Sequence, residues 1–212
     1  MRTSDKKRMR RTSVPKARQR HKTRHEICLE LLDQHGQDLP HAWITGDDEM
    51  GRPASFRRKL RDQGEHYLLA VPSNTTIRDL EVSPPSWCGS GRHPQPQSVR
   101  VDRWLDERTD QDWTLVEVRD AEQGPLIVET PQRCVETGKR GRPSVAEEVL
   151  VVIRYQDPEA KIVKTDYYLS NAEVTTPLTE YCRAAKAEHR VEECLRREKG
   201  QAGLADWRDL YM

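Results

Sequence analysis

The apolar residues of this chain come in short runs, and that limits the fold before any motif is considered. The longest, Tyr67-Leu-Leu-Ala-Val71 and Val149-Leu-Val-Val-Ile153, are strand-sized. A bilayer span needs roughly 20 apolar residues, so no membrane partner is expected. The charged N-terminus has no apolar segment behind it and does not read as a secretory signal. Only 34% of the 212 residues are hydrophobic and 33% are charged. The core is therefore modest for a length that fits one domain with an inserted subdomain.

Charge is unevenly placed. Residues 1–25 hold eleven Lys or Arg and one acid, Asp5, for a net +10, which leaves −9 on the rest of a chain whose total is +1. A cationic arm on an acidic body points to a polyanion partner, nucleic acid above all. A solvated, disordered tail carries the same signature. The five cysteines (Cys28, Cys88, Cys134, Cys182 and Cys194) are an odd count without C-x-x-C spacing. They read as reduced thiols of a cytosolic protein rather than a disulfide framework or zinc site.

Along the chain, residues 1–21 lack periodicity and are expected to be a disordered basic arm. Helical spacing begins near His25 and Gly36 stops it. His41 to Thr45 reads as a short buried strand, Gly51-Arg-Pro53 opens a helix to about Gln63, and Tyr67 to Val71 is a second strand. This order predicts a parallel α/β sheet. Prolines and glycines mark a loop over 82–98. Beyond it, Trp113 to Val118, Pro125 to Val128, Val149 to Arg154 and Ile162 to Leu169 are β-rich and separated by turns. That block reads as an inserted antiparallel β subdomain. A final helix is expected from about Pro177 to Lys199.

Two acidic clusters carry candidate chemistry. Asp47 and Asp48 follow the strand at His41 to Thr45, and sites in open α/β sheets form at the carboxyl ends of strands. Capping of a helix N-terminus near Arg52 explains the same residues. On the final helix, Glu188, Glu192, Arg196 and Lys199 fall at i, i+4, i+8 and i+11 and share one face. A solvated face of Glu–Arg pairs, each stabilising by a few tenths of a kcal/mol, has the same spacing. Carboxylates from a strand end and a distant helix can converge on divalent cations, and nearby Lys and Arg suit a phosphate backbone. Lys139-Arg-Gly-Arg-Pro143, with Arg140 and Arg142, has the core of a minor-groove-reading AT-hook, or is a basic turn between strands. His21 and His25, four apart, have no third ligand nearby and are not read as a metal pair.

Taken in order, these strings resemble a known family. Trp43-Ile-Thr-Gly-Asp-Asp-Glu-Met-Gly-Arg52, Phe56-Arg-Arg-Lys-Leu60 and Tyr67-Leu-Leu-Ala-Val-Pro-Ser-Asn74 are similar to the middle of bacterial insertion-sequence transposases. Tyr167-Tyr-Leu-Ser-Asn171, His189-Arg-Val-Glu-Glu193 and Lys199-Gly-Gln-Ala-Gly-Leu-Ala-Asp206 match the later part. The closest resemblance is to the insertion sequence seven-hundred-and-one type, related to the insertion sequence four group, over roughly residues 22–207.

The resemblance implies an α/β fold, a partial RNase H-like (integrase-like) core interrupted by an antiparallel β insertion. Residues 22–81 would form the first part of the core, 82–171 a linker loop and the β insertion, and 172–212 the C-terminal helix. It implies a DDE endonuclease that cleaves and transfers DNA strands with Mg²⁺ or Mn²⁺. Asp47 would be the second triad Asp and Glu192 the triad Glu, both metal ligands. Lys199, with Arg196 and Arg190 on the same helix, would contact DNA; Arg140 and Arg142 would do so on the AT-hook reading alone. Partners would be transposon ends, target DNA, and a second copy or a full-length transposase. The location would be the bacterial cytoplasm, at the nucleoid.

Three departures shape the expectation. No upstream aspartate (Asp5, Asp33 or Asp38) follows an apolar strand, so the first triad Asp is missing. The family's Tyr and Arg ahead of the triad Glu fall on Ala185 and Glu188. The chain ends at Met212, where relatives continue. The sequence is therefore read as a truncated, inactive copy that lacks the three opening strands, exposes a sheet edge at Ala42 to Thr45 and binds metal weakly. The alternative is a non-catalytic DNA-binding or inhibitory remnant that uses the basic arm.

Overall fold

The computed structural model describes residues 22–120, 124–139, 142–143, 147–155 and 164–201. The chain divides into two units, residues 1–41 and 42–212. The described part of the first unit is helix α1 (Arg24–His35) and a short 3-10 turn at Gly36–Asp38. Thr23 and Glu26 form a reciprocal capping box at its start, and Gly36, the stop read from the sequence, is its C-cap.

The second unit is built on one sheet. Its strands are β1 (Ile44–Gly46), β2 (Tyr67–Ala70), β3 (Thr76–Asp79), β4 (Ser98–Arg100), β5 (Thr114–Asp120), β6 (Gly124–Thr130), β7 (Gln132–Lys139), β8 (Arg142–Pro143), β9 (Glu148–Tyr155) and β10 (Lys164–Ser170). The main path runs β1-β2-β10-β9-β7-β3-β4; β5 pairs with β6, β6 with the end of β9, and β8 with β7. Helices α2 (Asp48–Gly51), α3 (Ala54–Asp62), α4 (Val101–Asp106) and α5 (Leu178–Gln201) complete the unit.

The expected parallel sheet is corrected to a mixed, mostly antiparallel one. Among the described strands only β1 and β2 run parallel. β2 continues the sheet through an antiparallel pairing with β10, Leu69 opposite Leu169. The β-rich block thus joins the same sheet as β1 and β2, since β10 pairs both β2 and β9.

Strand β9 explains the apolar run at 149–153. Val149, Val151 and Ile153 face one core cluster with Leu68, Tyr168 and the start of α5. Leu150 and Val152 face the other, with Leu169, Val71, Ile77 and Trp104 of α4. A strand buried on both faces reads as a continuous hydrophobic stretch rather than an alternating one.

Candidate functional site

Three of the strings that carry the family resemblance are neighbours in the sheet. β1 pairs with β2 from Ile44↔Tyr67 to Gly46↔Leu69, and β2 pairs with β10. Asn171, after β10, fixes the start of β2. Its side-chain oxygen accepts from the Tyr67 amide at 2.9 Å and its Nδ2 donates to the Glu65 carbonyl at 2.8 Å.

Asp47 follows β1 directly. It is exposed, and its Oδ1 accepts from the Met50 amide at 3.0 Å, which makes it the N-cap of α2. The capping alternative weighed from the sequence is therefore realised. It occupies one carboxylate oxygen; Oδ2 accepts no hydrogen bond among the described residues. Asp48 instead pairs with Arg52 at 3.0 Å on the surface.

Helix α2 is clamped to β2 by Gly51. A Cβ at this position would come 1.9 Å from the Ala70 carbonyl oxygen, so no other residue lets the helix lie this close. The clamp is reinforced from below by Arg57. Its Nη1 donates to the Gly51 carbonyl at 2.5 Å and to the Arg52 carbonyl at 3.4 Å. Its Nε and Nη2 reach Glu148 at 2.7 and 3.2 Å, and Nη2 also reaches the Thr137 hydroxyl at 2.8 Å. Both charged side chains are almost fully buried, at 2% and 0% exposure. Such a charge pair survives burial only with its remaining hydrogen-bond capacity filled. Thr137 and Tyr67 supply this, each donating to Glu148, at 2.8 and 2.7 Å. Burial first, and then the Glu148 charge and hydrogen bond, push the Tyr67 phenol well above its ordinary value.

Beside this network lies a cavity of about 600 Å³ at the carboxyl end of β2. Arg52, Arg57 and Arg100 line it with Ser73, Asn74 and Thr137, and no carboxylate does. Its rim is a turn in which the Thr75 amide donates to the Pro72 carbonyl. The turn is tied to α4 by amides of Val101 and Asp102 donating to the carbonyls of Thr75 and Ser73. Trp104 anchors α4 through its indole N–H, which donates to buried Asp79 at 2.8 Å. Arg100 pairs with Asp102 at 2.5 Å, and its hydrogen bond holds that carboxyl below the ordinary range.

Glu192, Arg190, Arg196 and Lys199 lie on the helical backbone of α5, and their side chains fall outside the described residues. What is described is the start of that helix. Tyr181, Cys182, Ala184 and Ala185 are buried against the sheet. Tyr181 meets Trp43, just ahead of β1, edge-on at 5.7 Å between ring centres. Ala185 is fully buried. Arg142 stands in β8 opposite Lys139 of β7, a basic hairpin; Arg140 falls outside the described residues. Among the described residues no three His, Cys, Asp or Glu side chains form a metal-binding cluster, and no helix is long and apolar enough to cross a membrane. Asp47 offers one hard oxygen donor of the kind Mg²⁺ takes.

Sequence reasoning missed the Arg57–Glu148 network and the cavity. The available signal was Arg57 beside Phe56 and three residues before Leu60, on the buried side of its helix, and Glu148 at the head of an apolar run.

The profile of a family described as DDE superfamily endonuclease matches residues 2–125. No curated protein matches the chain. The matched span contains Asp47, the β1–β2 pair and every cavity residue but Thr137; it stops short of Glu148 and Glu192.

Proposed function

The chain belongs to the DDE superfamily endonucleases, and from that membership we propose that it is a transposase-type nuclease domain of the insertion sequence seven-hundred-and-one type that acts on DNA. In this reading Asp47 and Glu192 hold the divalent cations, and Lys199, Arg196 and Arg190 contact DNA from the same helix. Its protein partner is a second copy or a full-length transposase.

The observation that best supports the pairing is the Trp43–Tyr181 contact. From it, Asp47 lies four residues along the chain, about 13 Å if extended. Glu192 lies eleven residues along α5, about 16 Å at the helical rise. The two reaches are comparable, so the backbones at 47 and 192 come level when strand and helix run in the same sense. The cap bond from Met50 fixes the Asp47 carboxylate and leaves Oδ2 as a donor. Bound Mg²⁺ or Mn²⁺ supplies activation of a water or 3′-hydroxyl and stabilisation of the leaving oxygen.

Upstream, Asp33 is in α1 and Asp38 in the 3-10 turn, so neither follows a strand. With two carboxylates, we propose that the chain retains DNA without nicking it by itself. The test mixes the purified chain with DNA bearing insertion-sequence ends and Mn²⁺. The expected result is salt-sensitive retention and intact strands. Nicking that vanishes in Asp47→Ala and Glu192→Ala would uphold the site and refute the silence; absence of retention would refute the DNA reading. The charge of the first 25 residues favours one further role, DNA retention through that arm, which would survive Asp47→Ala and fail on its deletion.

A further inference from the structure

The polar cavity beside α2 has no part in the proposed cation chemistry, yet it is built from one sign of charge. We propose that it is a subsite for a phosphate group of the DNA backbone, gripped by Arg52 and Arg100. This rests on the reading of the chain as a DNA-acting domain.

The three arginines divide into a floor and two hands. All five N–H groups of Arg57 are committed, to Glu148, Thr137 and the carbonyls of Gly51 and Arg52. Arg57 therefore supplies a fixed base whose charge Glu148 balances, rather than a contact that must form on binding. Arg52 and Arg100 are 65% and 53% exposed, and each holds one carboxylate, Asp48 or Asp102. Neither of those carboxylates lines the cavity. Exposed pairs of this kind add little stability, so either guanidinium can turn to a phosphate, whose oxygens it matches in bidentate fashion.

The rest of the lining suits the same ligand. The side chains of Ser73, Asn74, Thr75 and Thr76 donate to no protein acceptor among the described residues, and all four line the cavity. The turn that carries Ser73 to Thr75 is fixed by its amide bonds to α4, so these donors are presented on a rigid rim. A cavity of about 600 Å³ exceeds what one free phosphate fills and admits a phosphodiester with its flanking sugar.

The cavity also stands in fixed relation to Asp47. Arg52 is the residue after α2 and Asp47 the one before it, about 7.5 Å apart at the helical rise. The subsite therefore serves a backbone phosphate near the one at Asp47.

The test titrates the full chain against a labelled DNA duplex over a range of salt, comparing wild type with Arg52→Gln, Arg100→Gln and the double variant. Arg103→Gln is the control. Arg103 is exposed on α4, pairs with Asp106 at 3.7 Å and does not line the cavity. The expected result is weaker binding and a salt slope shallower by about one for each cavity arginine removed, with Arg103→Gln unchanged. Unchanged slopes in the cavity variants, or an equal loss in Arg103→Gln, would overturn the subsite and leave the DNA reading standing. Failure of the wild type to bind DNA would overturn both. A calorimetric arm uses inorganic phosphate alone. Saturable binding lost in Arg52→Gln, with the DNA slope unchanged, would assign the cavity to a free phosphate and also overturn the proposal.

Discussion

Replacing Glu148 with alanine would remove the acceptor at the centre of the buried network and leave the Arg57 guanidinium without a counter-charge. Arg57 is 2% exposed, so water cannot take over the role. Breaking one partner out of a buried pair costs about 3–5 kcal/mol. The Tyr67 and Thr137 hydroxyls also lose their acceptor, which adds to the cost without being separable from it. Against a total stability of about 5–15 kcal/mol, the loss is a large fraction of the fold. The assay is urea unfolding followed by tryptophan fluorescence. The informative companion is Arg57→Met with Glu148→Leu, which removes both charges and recovers much of the loss, because no charge is left stranded. Gly51 and Arg52 carbonyls lose their donor in that double variant, so recovery is incomplete. A cost for Glu148→Ala below about 1 kcal/mol would mean that water reaches Arg57, and the argument that this pair clamps the helix after Asp47 would fail.

Other outcomes follow from the same geometry. Asp47→Ala should lower stability by about 0.5–2 kcal/mol through loss of the N-cap, whereas Asp47→Asn keeps a capping oxygen and its stability. Both should lose Mn²⁺ binding, read by electron paramagnetic resonance, which separates the structural role from the metal role. Gly51→Ala should cost at least about 1–3 kcal/mol, because the added methyl meets the Ala70 carbonyl and α2 must move; thermal melts check this. The Tyr67 phenol titrates higher when folded than its ordinary value of 10.0, so the folded state holds its proton longer than the unfolded chain does. Its contribution is complete below pH 10 and is lost as the pH climbs above that. Tyr67→Phe should remove this alkaline loss, seen as a flatter dependence of the unfolding midpoint on pH.

How far the sequence could be read depended on the kind of signal each element leaves. The strands at 67–71 and 149–153 were legible because burial on both faces writes an unbroken apolar run. The end of α1 was legible because Gly36 is a stop with local chemistry, whereas the Thr23–Glu26 capping box at its start was not picked out. The direction of the sheet was not. A helix-strand-helix-strand order favours parallel pairing, and that held for β1 and β2 alone, because β10 returns beside β2 from far along the chain. Strands β3 and β4 escaped because Thr76–Asp79 and Ser98–Arg100 are short and flank the proline-rich loop. Asp47 was singled out by its place after a strand, and the capping role it fills was among the readings of that cluster. The partnership of Arg57 with Glu148 was invisible for a physical reason. Residues 91 positions apart carry no local sign of each other, and a charged residue beside an apolar one reads as a solvated edge.

The central claim is that the carboxylates of Asp47 and Glu192 share a cation site. Fe²⁺ substituted for Mg²⁺, with ascorbate and peroxide, cuts the polypeptide next to bound metal, and the fragments identify the segments that line it. Cuts are expected in two places, beside residue 47 and beside residue 192, both absent in Asp47→Asn. Cleavage at one segment alone, or bound iron that cuts at neither, would contradict it.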